Sequence, residues 1–186
     1  PVCLCFLPQT LSGPQPLFYG ASMSSQLMDD VYLPDLGIGA GIAIWGFRAC
    51  ARGGAGCCAI VNGFGRAFGP ANGPRVLNDM LEFARHVGHS GRRTVSLAMP
   101  GCARLASDEL SIIAALAAAQ LCDRALLELH LTWLMAKAPD EELAELLLSI
   151  SSDFLMAELV IDMPDLAISQ PRTARSPLVA VQGGRA

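Results

Sequence analysis

The chain has 186 residues, which is enough for one domain with a full hydrophobic core. Hydrophobic residues make up 52% of it and charged residues 16%, and this balance excludes an intrinsically disordered chain. The formal net charge of −4 gives no support for a nucleic-acid partner, and no stretch reaches the roughly 18 to 20 uninterrupted apolar residues that a membrane span requires.

The two ends of the chain differ in composition from its middle. Residues 1–22 are rich in proline, carry no charge and show neither a strand nor a helix period, which predicts a non-native or disordered leader. A secretory signal is the alternative, but the segment lacks a basic start and its apolar run is broken at Pro8. Residues 169–186 hold three arginines, two prolines and no acid, which predicts a disordered tail. A single helical domain is then expected over residues 23–168.

Glycine dominates the first part of this domain. Residues 37–73 contain eleven glycines, and each one inside a helix costs about 0.5 to 1 kcal/mol relative to alanine, so packing must hold any helix there. We predict a helix that is capped by Asp35 and runs to residue 50, and a second helix over residues 57–68. A third is predicted to start at Pro74, because proline is favourable at the first helical position.

The rest of the domain favours three further helices. Residues 94–99 alternate in polarity but have no partner segment in view, so we predict an extended linker there. Beyond it, Ser107 predicts the cap of one helix, Asp123 begins a second, and the Pro139-Asp140 pair precedes a third. The fold class is therefore predicted as an all-α, single-domain bundle of about five to six helices, in which short connections make the C-terminal three-helix part antiparallel.

Charge is divided between two halves of the domain. Residues 48–104 contain eight arginines and two acids, whereas residues 105–168 contain two basic residues and twelve acids. One explanation is that the two halves attract each other, or that the charges lie on ordinary solvated faces. The other is that one face docks a charged partner, with electrostatic steering as the main effect.

Cysteine and histidine provide a candidate metal site. Five cysteines follow the leader, and this odd number argues against a complete disulfide framework. His86 and His89 lie three residues apart on one predicted helix, where both imidazoles could reach one zinc ion together with Cys57, Cys58 or Cys102. Against this, neighbouring cysteines on a helix diverge by about 100 degrees, histidines are favourable near a helix C-terminus, and small thiols simply pack.

The remaining polar residues give weak signals for catalysis. Asp108 and Glu109 are neighbours that point apart, and the acids at 141–145 suit the start of a solvated helix. His130 lies in an apolar row and is predicted to be a hydrogen-bonded interior or boundary histidine rather than a catalytic base. Because nucleotide-binding and hydrolase motifs are absent, an enzyme is the third choice among the function classes.

A set of residues spread over the predicted C-terminal helices carries a resemblance to known sequences. The residues are Pro100-Gly101-Cys102, Leu105, Asp108-Glu109, Ala117-Ala118-Ala119-Gln120, Asp123 and His130-Leu131-Thr132-Trp133-Leu134. In these residues the chain resembles a group of short, uncharacterised bacterial helical proteins, over residues 33–164. The resemblance implies a shared helical core in a bacterial domain and carries no activity with it.

Two function classes follow from these observations. The first is a non-catalytic, cytoplasmic helical protein, of the adaptor or regulatory kind, that binds another protein through an apolar groove or the acidic face of its C-terminal half. A homodimer is compatible with this class, because many leucines can leave apolar surface uncovered. The alternative is a metal- or redox-responsive regulator that uses the cysteines and histidines above, with zinc as its cofactor.

Overall fold

The computed structural model describes residues 27–165, so the predicted leader and the predicted tail lie outside the described residues. Helices account for most of this range, and the predicted all-α architecture with about five to six helices is confirmed. In chain order the elements are β1 (Leu27–Tyr32), a 3₁₀ turn (Leu33–Leu36), α1 (Gly37–Ala51), α2 (Cys58–Ser90), β2 (Arg104–Ala106), α3 (Ser107–Gln120), α4 (Arg124–Met135) and α5 (Glu141–Met156).

Helices α1 and α2 approach closely because glycines remove side chains where the helices meet. Gly46 of α1 faces the ring of Phe64, and Gly63 of α2 faces the indole of Trp45. A Cβ atom at Gly46 would stand 2.5 Å from the Phe64 ring, so something there would have to shift. Close helix packing therefore offsets the helical cost of these glycines, as the sequence predicts.

Two predicted helix starts in the first part of the domain are wrong. Asp35 lies in the 3₁₀ turn and does not cap α1, whose N-cap residue is Leu36 without a side-chain hydrogen bond. Helix α2 is interrupted at Gly69, whose φ of 82° and ψ of 162° are not helical, and it resumes at Pro70 rather than at Pro74. Glycine tolerates a positive φ and proline suits the first position of the resumed helix, so the Gly69-Pro70 pair makes the break.

The three predicted C-terminal helices are present. Helix α4 begins after Asp123, whose carboxylate accepts a hydrogen bond from the Leu126 N–H, as a capping residue should. Helix α3 begins one residue earlier than predicted, because its N-cap residue is Ala106 and not Ser107. The Glu109 carboxylate accepts the Ala106 N–H at 2.8 Å and supplies the capping bond from inside the helix.

Helix α3 lies at the centre of the bundle. It contacts α1, α4 and α5, and every residue from Asp108 to Ala119 is buried. One hydrophobic core runs through all five helices. None of the described helices combines the length and apolar character needed to cross a membrane. The antiparallel order of the last three helices stays a prediction from their short connections.

A two-stranded antiparallel sheet was not part of the sequence prediction. Leu27 of β1 lies opposite Ala106 of β2, and Tyr32 lies opposite Arg104, with an irregular register between these pairs. Because β2 has only three residues, it is too short to show an alternating pattern in the sequence. Residues 94–99, predicted to be an extended linker, form neither helix nor strand.

Candidate functional site

A groove lies beside α1, bordered by the 3₁₀ turn, the connection from α1 to α2 and residues 100–103. Its volume is about 830 Å³, and it is open to solvent rather than enclosed. Apolar side chains and glycines form most of its lining, and the charged residues among those that line it are Arg48 and Arg52. The larger apolar lining residues are Leu33, Pro34, Ile38, Trp45, Ile60 and Pro100.

One face of α1 forms the floor of the groove. Gly37, Gly41, Trp45, Arg48 and Arg52 recur at spacings of three or four residues, so they share one side of the helix. A Cβ atom at Gly41 would have no neighbour within 4 Å, so no contact within residues 27–165 requires glycine there. The missing side chain deepens the groove along α1.

Arg48 holds one wall of the groove in place. Its guanidinium forms a two-point ion pair with Glu109, at 2.6 Å from Nε to Oε1 and 2.9 Å from Nη2 to Oε2, and both side chains are at most 3% exposed. It also donates to the carbonyl oxygens of Met99, Cys102 and Arg104, at 3.5, 2.7 and 2.9 Å. All five N–H donors of Arg48 therefore have acceptors, and residues 99–104 are fixed against α1.

The two acids at the start of α3 hold the linker that precedes it. Glu109 accepts the backbone N–H of Ala98 at 3.1 Å in addition to its bonds from Arg48 and Ala106. Asp108 accepts two bonds from the Arg93 guanidinium, at 2.7 and 3.2 Å, and the Ser96 N–H at 2.7 Å. The acids face different partners, as their adjacency predicts, and each organises a different part of the linker.

Arg52 lies one turn beyond Arg48 and has fewer hydrogen bonds. It donates to the carbonyl oxygens of Arg48, Leu97 and Ala98, at 3.4, 3.3 and 2.8 Å. Within residues 27–165 no carboxylate lies within 4.0 Å of its guanidinium. Burial is the main cause that lowers the pKa of Arg52, while the charge of Glu109 raises this pKa and that of Arg48 lowers it. Arg52 therefore brings positive charge to the groove, and no carboxylate of the described residues is in contact with it.

The residues predicted to bind a metal lie in two places. Cys57 and Cys102 line the groove, and Cys58, next to Cys57, is exposed. His86 and His89 lie near the end of α2, where their Nδ1 atoms are 3.3 and 3.1 Å from carbonyl oxygens of the preceding turn. In the described part of the chain, no three Cys, His, Asp or Glu side chains are grouped so that they could hold a metal ion. The zinc site stays a prediction.

His130 and Cys50 are two further buried titratable groups away from the groove lining. His130 is 7% exposed, and burial lowers its pKa from the ordinary value. Its interior position was predicted, but its Nε2 atom has no hydrogen-bond partner within residues 27–165. Burial also raises the pKa of the Cys50 thiol to about 12, so this thiol stays protonated near neutral pH.

Ion pairs connect the two halves of the domain that differ in charge. The pairs are Arg48–Glu109, Arg75–Asp153 and Arg93–Asp108. Each joins an arginine of residues 48–104 to an acid of residues 105–168, which supports the explanation that the halves attract each other. The exposed acids near the start of α5 have a different partner, since Glu141 and Glu145 surround Arg124 of α4 together with Glu128.

Searches against protein-family models, curated proteins and solved structures gave no match to this chain. The resemblance to short bacterial helical proteins therefore stays a prediction.

Sequence reasoning missed the two arginines that organise the groove. Arg48 ends the apolar run of α1, and Arg52 follows four residues later. The available signal was a pair of charges on a helix made otherwise of apolar residues and glycine, because a buried charge needs a partner. That partner, Glu109, is 61 residues further along the chain, and no local pattern identifies it.

Proposed function

We propose that the protein is a non-catalytic helical protein of the adaptor or regulatory kind, whose groove beside α1 receives an apolar segment of a protein partner. The observation that carries this proposal is the open, mostly apolar groove, which the absence of a side chain at Gly41 deepens. A glycine in a helix lowers helix stability by about 0.5 to 1 kcal/mol relative to alanine. At Gly41 no contact of the described chain offsets this cost, and the space that the glycine leaves lies in the groove.

The other features of the groove support the same use. Its volume of about 830 Å³ is within the range of ligand sites, and Ile38 on its rim is 75% exposed. The bonds of Arg48 fix one wall before a partner arrives, which lowers the entropic cost of binding. The described residues that line the groove include neither histidine nor a carboxylate, so binding is favoured over acid–base chemistry.

The test is photo-cross-linking in cells that make the protein, with a photoreactive residue in place of Ile38. Leu129 on α4, which is 63% exposed, provides a control position outside the groove. We expect one cross-linked partner of defined mass from position 38 that does not form from position 129, where the one product to expect is a second copy of this chain. Gly41→Leu should abolish this product, because the new side chain occupies the groove.

Gly65→Leu is the matched control for the groove-filling variant. Gly65 is also a helical glycine whose Cβ would have no neighbour within 4 Å, but it does not line the groove. The cross-linked product should therefore persist in Gly65→Leu. A product that forms equally from positions 38 and 129, or that survives Gly41→Leu, would contradict the proposal.

A metal- or redox-responsive regulator is the second candidate, because Cys57 and Cys102 line the same groove from different segments. Its test is elemental metal analysis with thiol titration on the full chain, purified without chelator. One zinc ion per chain, lost in both Cys57→Ser and Cys102→Ser, would favour this candidate over the first. Metal-free protein with reduced and inert thiols would reject it.

The proposal includes a cytoplasmic location and permits a homodimer. Leu129 and Trp133, one turn apart on α4, are 63% and 60% exposed, and they are the surface on which we would expect a second copy to pack. Sedimentation of the wild type and of a Leu129→Glu variant would test this surface separately from the groove.

A further inference from the structure

The charge at the floor of the groove is unbalanced. Arg48 and Arg52 supply two positive charges, and Glu109 supplies the one carboxylate that contacts either of them within residues 27–165. The charged residues that line the groove are both arginines. The three groups together leave one positive charge beside a largely apolar surface.

The two arginines differ in the donors they have left. Arg48 uses all five of its N–H donors within the protein. Arg52 makes three hydrogen bonds, all to backbone carbonyl oxygens, so two of its five N–H donors have no acceptor within the described residues. A guanidinium that is partly buried, positively charged and incompletely bonded is well suited to bind a carboxylate.

The shape of the groove restricts what can carry that carboxylate. Most of the groove lining consists of apolar side chains such as Ile60 and of glycines such as Gly54, so the rest of the ligand must be apolar. The groove is open on one side. A single acyl chain would leave much of its length in water there, whereas a peptide can turn apolar side chains inward and its backbone outward.

We infer that the groove binds the apolar C-terminal end of a partner protein, with the terminal α-carboxylate facing the Arg52 guanidinium. This inference rests on the proposed function and specifies the partner: a chain that ends in apolar residues. The unused donors of Arg52 are Nε–H and one Nη1–H, which point in different directions, so one of them bonds one carboxylate oxygen while the positive charge attracts the group as a whole. The Arg48–Glu109 pair keeps the wall rigid beside it.

The test compares peptide acids with peptide amides on the full-length protein. A library of peptides displayed with free C-termini is selected for binding to the wild type and counter-selected against binding to Gly41→Leu. The enriched sequences are then synthesised with either a C-terminal carboxylate or a C-terminal amide. Trp45 lines the groove and is one of two tryptophans, so its fluorescence in a Trp133→Phe background reports binding. We expect the amides to bind about tenfold more weakly or worse, as for loss of a charged hydrogen bond.

Variants of Arg52 then locate the effect. Arg52→Gln should weaken binding of the acid about tenfold and leave the amide unchanged, whereas Arg52→Lys should keep part of the preference for the acid. Arg92→Gln is the matched control, because this substitution removes the same charge from a residue that is exposed and does not line the groove. An Arg52 variant could also loosen residues 97–98, to which Arg52 donates. The comparison of peptide acids with amides on the wild type tests the inference independently of that effect.

Each contrary result has a distinct meaning. Peptides that bind equally well as acids and amides would overturn the carboxylate inference and leave the proposed function standing. No peptide enriched over Gly41→Leu would overturn both. Binding of sodium decanoate with the same dependence on Arg52, but of no peptide, would overturn the peptide inference and assign the groove to small apolar acids.

Discussion

Two clusters of arginine and acids in this protein use the same ion-pair chemistry in opposite environments. At the α1–α3 contact, Arg48 and Glu109 are nearly excluded from water, and their remaining donors and acceptors bond to the backbone. At the α4–α5 contact, Arg124 meets three glutamates, each about half exposed or more. The first cluster fixes the course of a linker, whereas the second joins two helix surfaces.

The difference indicates that burial, and not the number of partners, determines how strongly the loss of an ion pair destabilises the protein. An exposed pair gains little, because water screens its charges and long side chains lose freedom. A buried pair is costly to break, since the partner that remains is an uncompensated charge in the interior. We expect the protein to tolerate changes around Arg124 and to respond strongly to changes at the α1–α3 contact.

The largest expected effect comes from Glu109→Gln, which keeps the shape of the side chain and removes its charge. Arg48 then stays buried without a counter-charge, so the free energy of unfolding should fall by about 3 to 5 kcal/mol. Urea unfolding followed by circular dichroism measures this change. Glu128→Gln, in the exposed cluster, is the matched control, and a similar small loss in both variants would contradict the distinction between the clusters.

Cysteine reactivity extends the same contrast to another side chain. Burial raises the pKa of Cys50 to about 12, while Cys57 and Cys122 are exposed. At about pH 8 the thiolate of Cys50 should be about a thousandfold rarer than that of an ordinary thiol, so alkylation should be correspondingly slow. Timed iodoacetamide labelling with peptide mass analysis tests this, and labelling of Cys50 as fast as Cys122 in folded protein would refute it.

A smaller, pH-dependent effect is expected from His130. Burial lowers its pKa in the folded state below that in the unfolded state, so the unfolded state binds more protons as the pH falls. The contribution of His130 is therefore present above the unfolded pKa of about 6.5 and is lost as the pH falls through and below that value. Unfolding at about pH 7.5 and pH 5.5 should show a larger loss in the wild type than in His130→Leu.

Carboxylates and the other histidines are common to both proteins in that comparison and cancel from it. An identical pH dependence in the wild type and in His130→Leu would show that burial of this imidazole does not contribute.

The smallest effect is expected from Arg124→Gln. This change removes the centre of the exposed cluster, but solvent already screens its charges. The urea midpoint should stay within experimental error of the wild type, both at low salt and at about 0.5 M salt, where screening is nearly complete. A clear loss of stability at low salt would show that the cluster acts as a network.

The sequence predicts the helices well where their signals are local. Asp123 caps α4 through a bond that lies within the first turn, and glycines such as Gly46 indicate close helix packing. The predictions that failed have two kinds of cause: competition between neighbouring residues for one role, and dependence on residues far away in the sequence. At Asp35 and Pro74 a plausible cap or start competed with a neighbouring residue, and only the backbone angles show which was used.

The groove was less predictable because distant residues build it. A groove between helices was expected, but its place beside α1 depends on Arg48, whose acceptors lie 51 to 61 residues away. The same holds for β2, which has three residues and pairs with a strand at the start of the described chain. The periodicity of a segment indicates which of its residues are buried and which are exposed. It does not indicate which distant segment packs against the buried ones.

The bonds of Arg48 also bear on the order in which the protein is built. A chain synthesised from its N-terminus completes α1 well before Glu109 is made, so Arg48 has no counter-charge during that interval. The Glu109 carboxylate also accepts the Ala98 and Ala106 N–H groups on either side of the wall, so a nascent chain that stops short of α3 lacks these bonds and the partner of Arg48. Under the proposed function, competence to bind the partner would then coincide with completion of the central helix, and unfinished chains would not compete with finished ones.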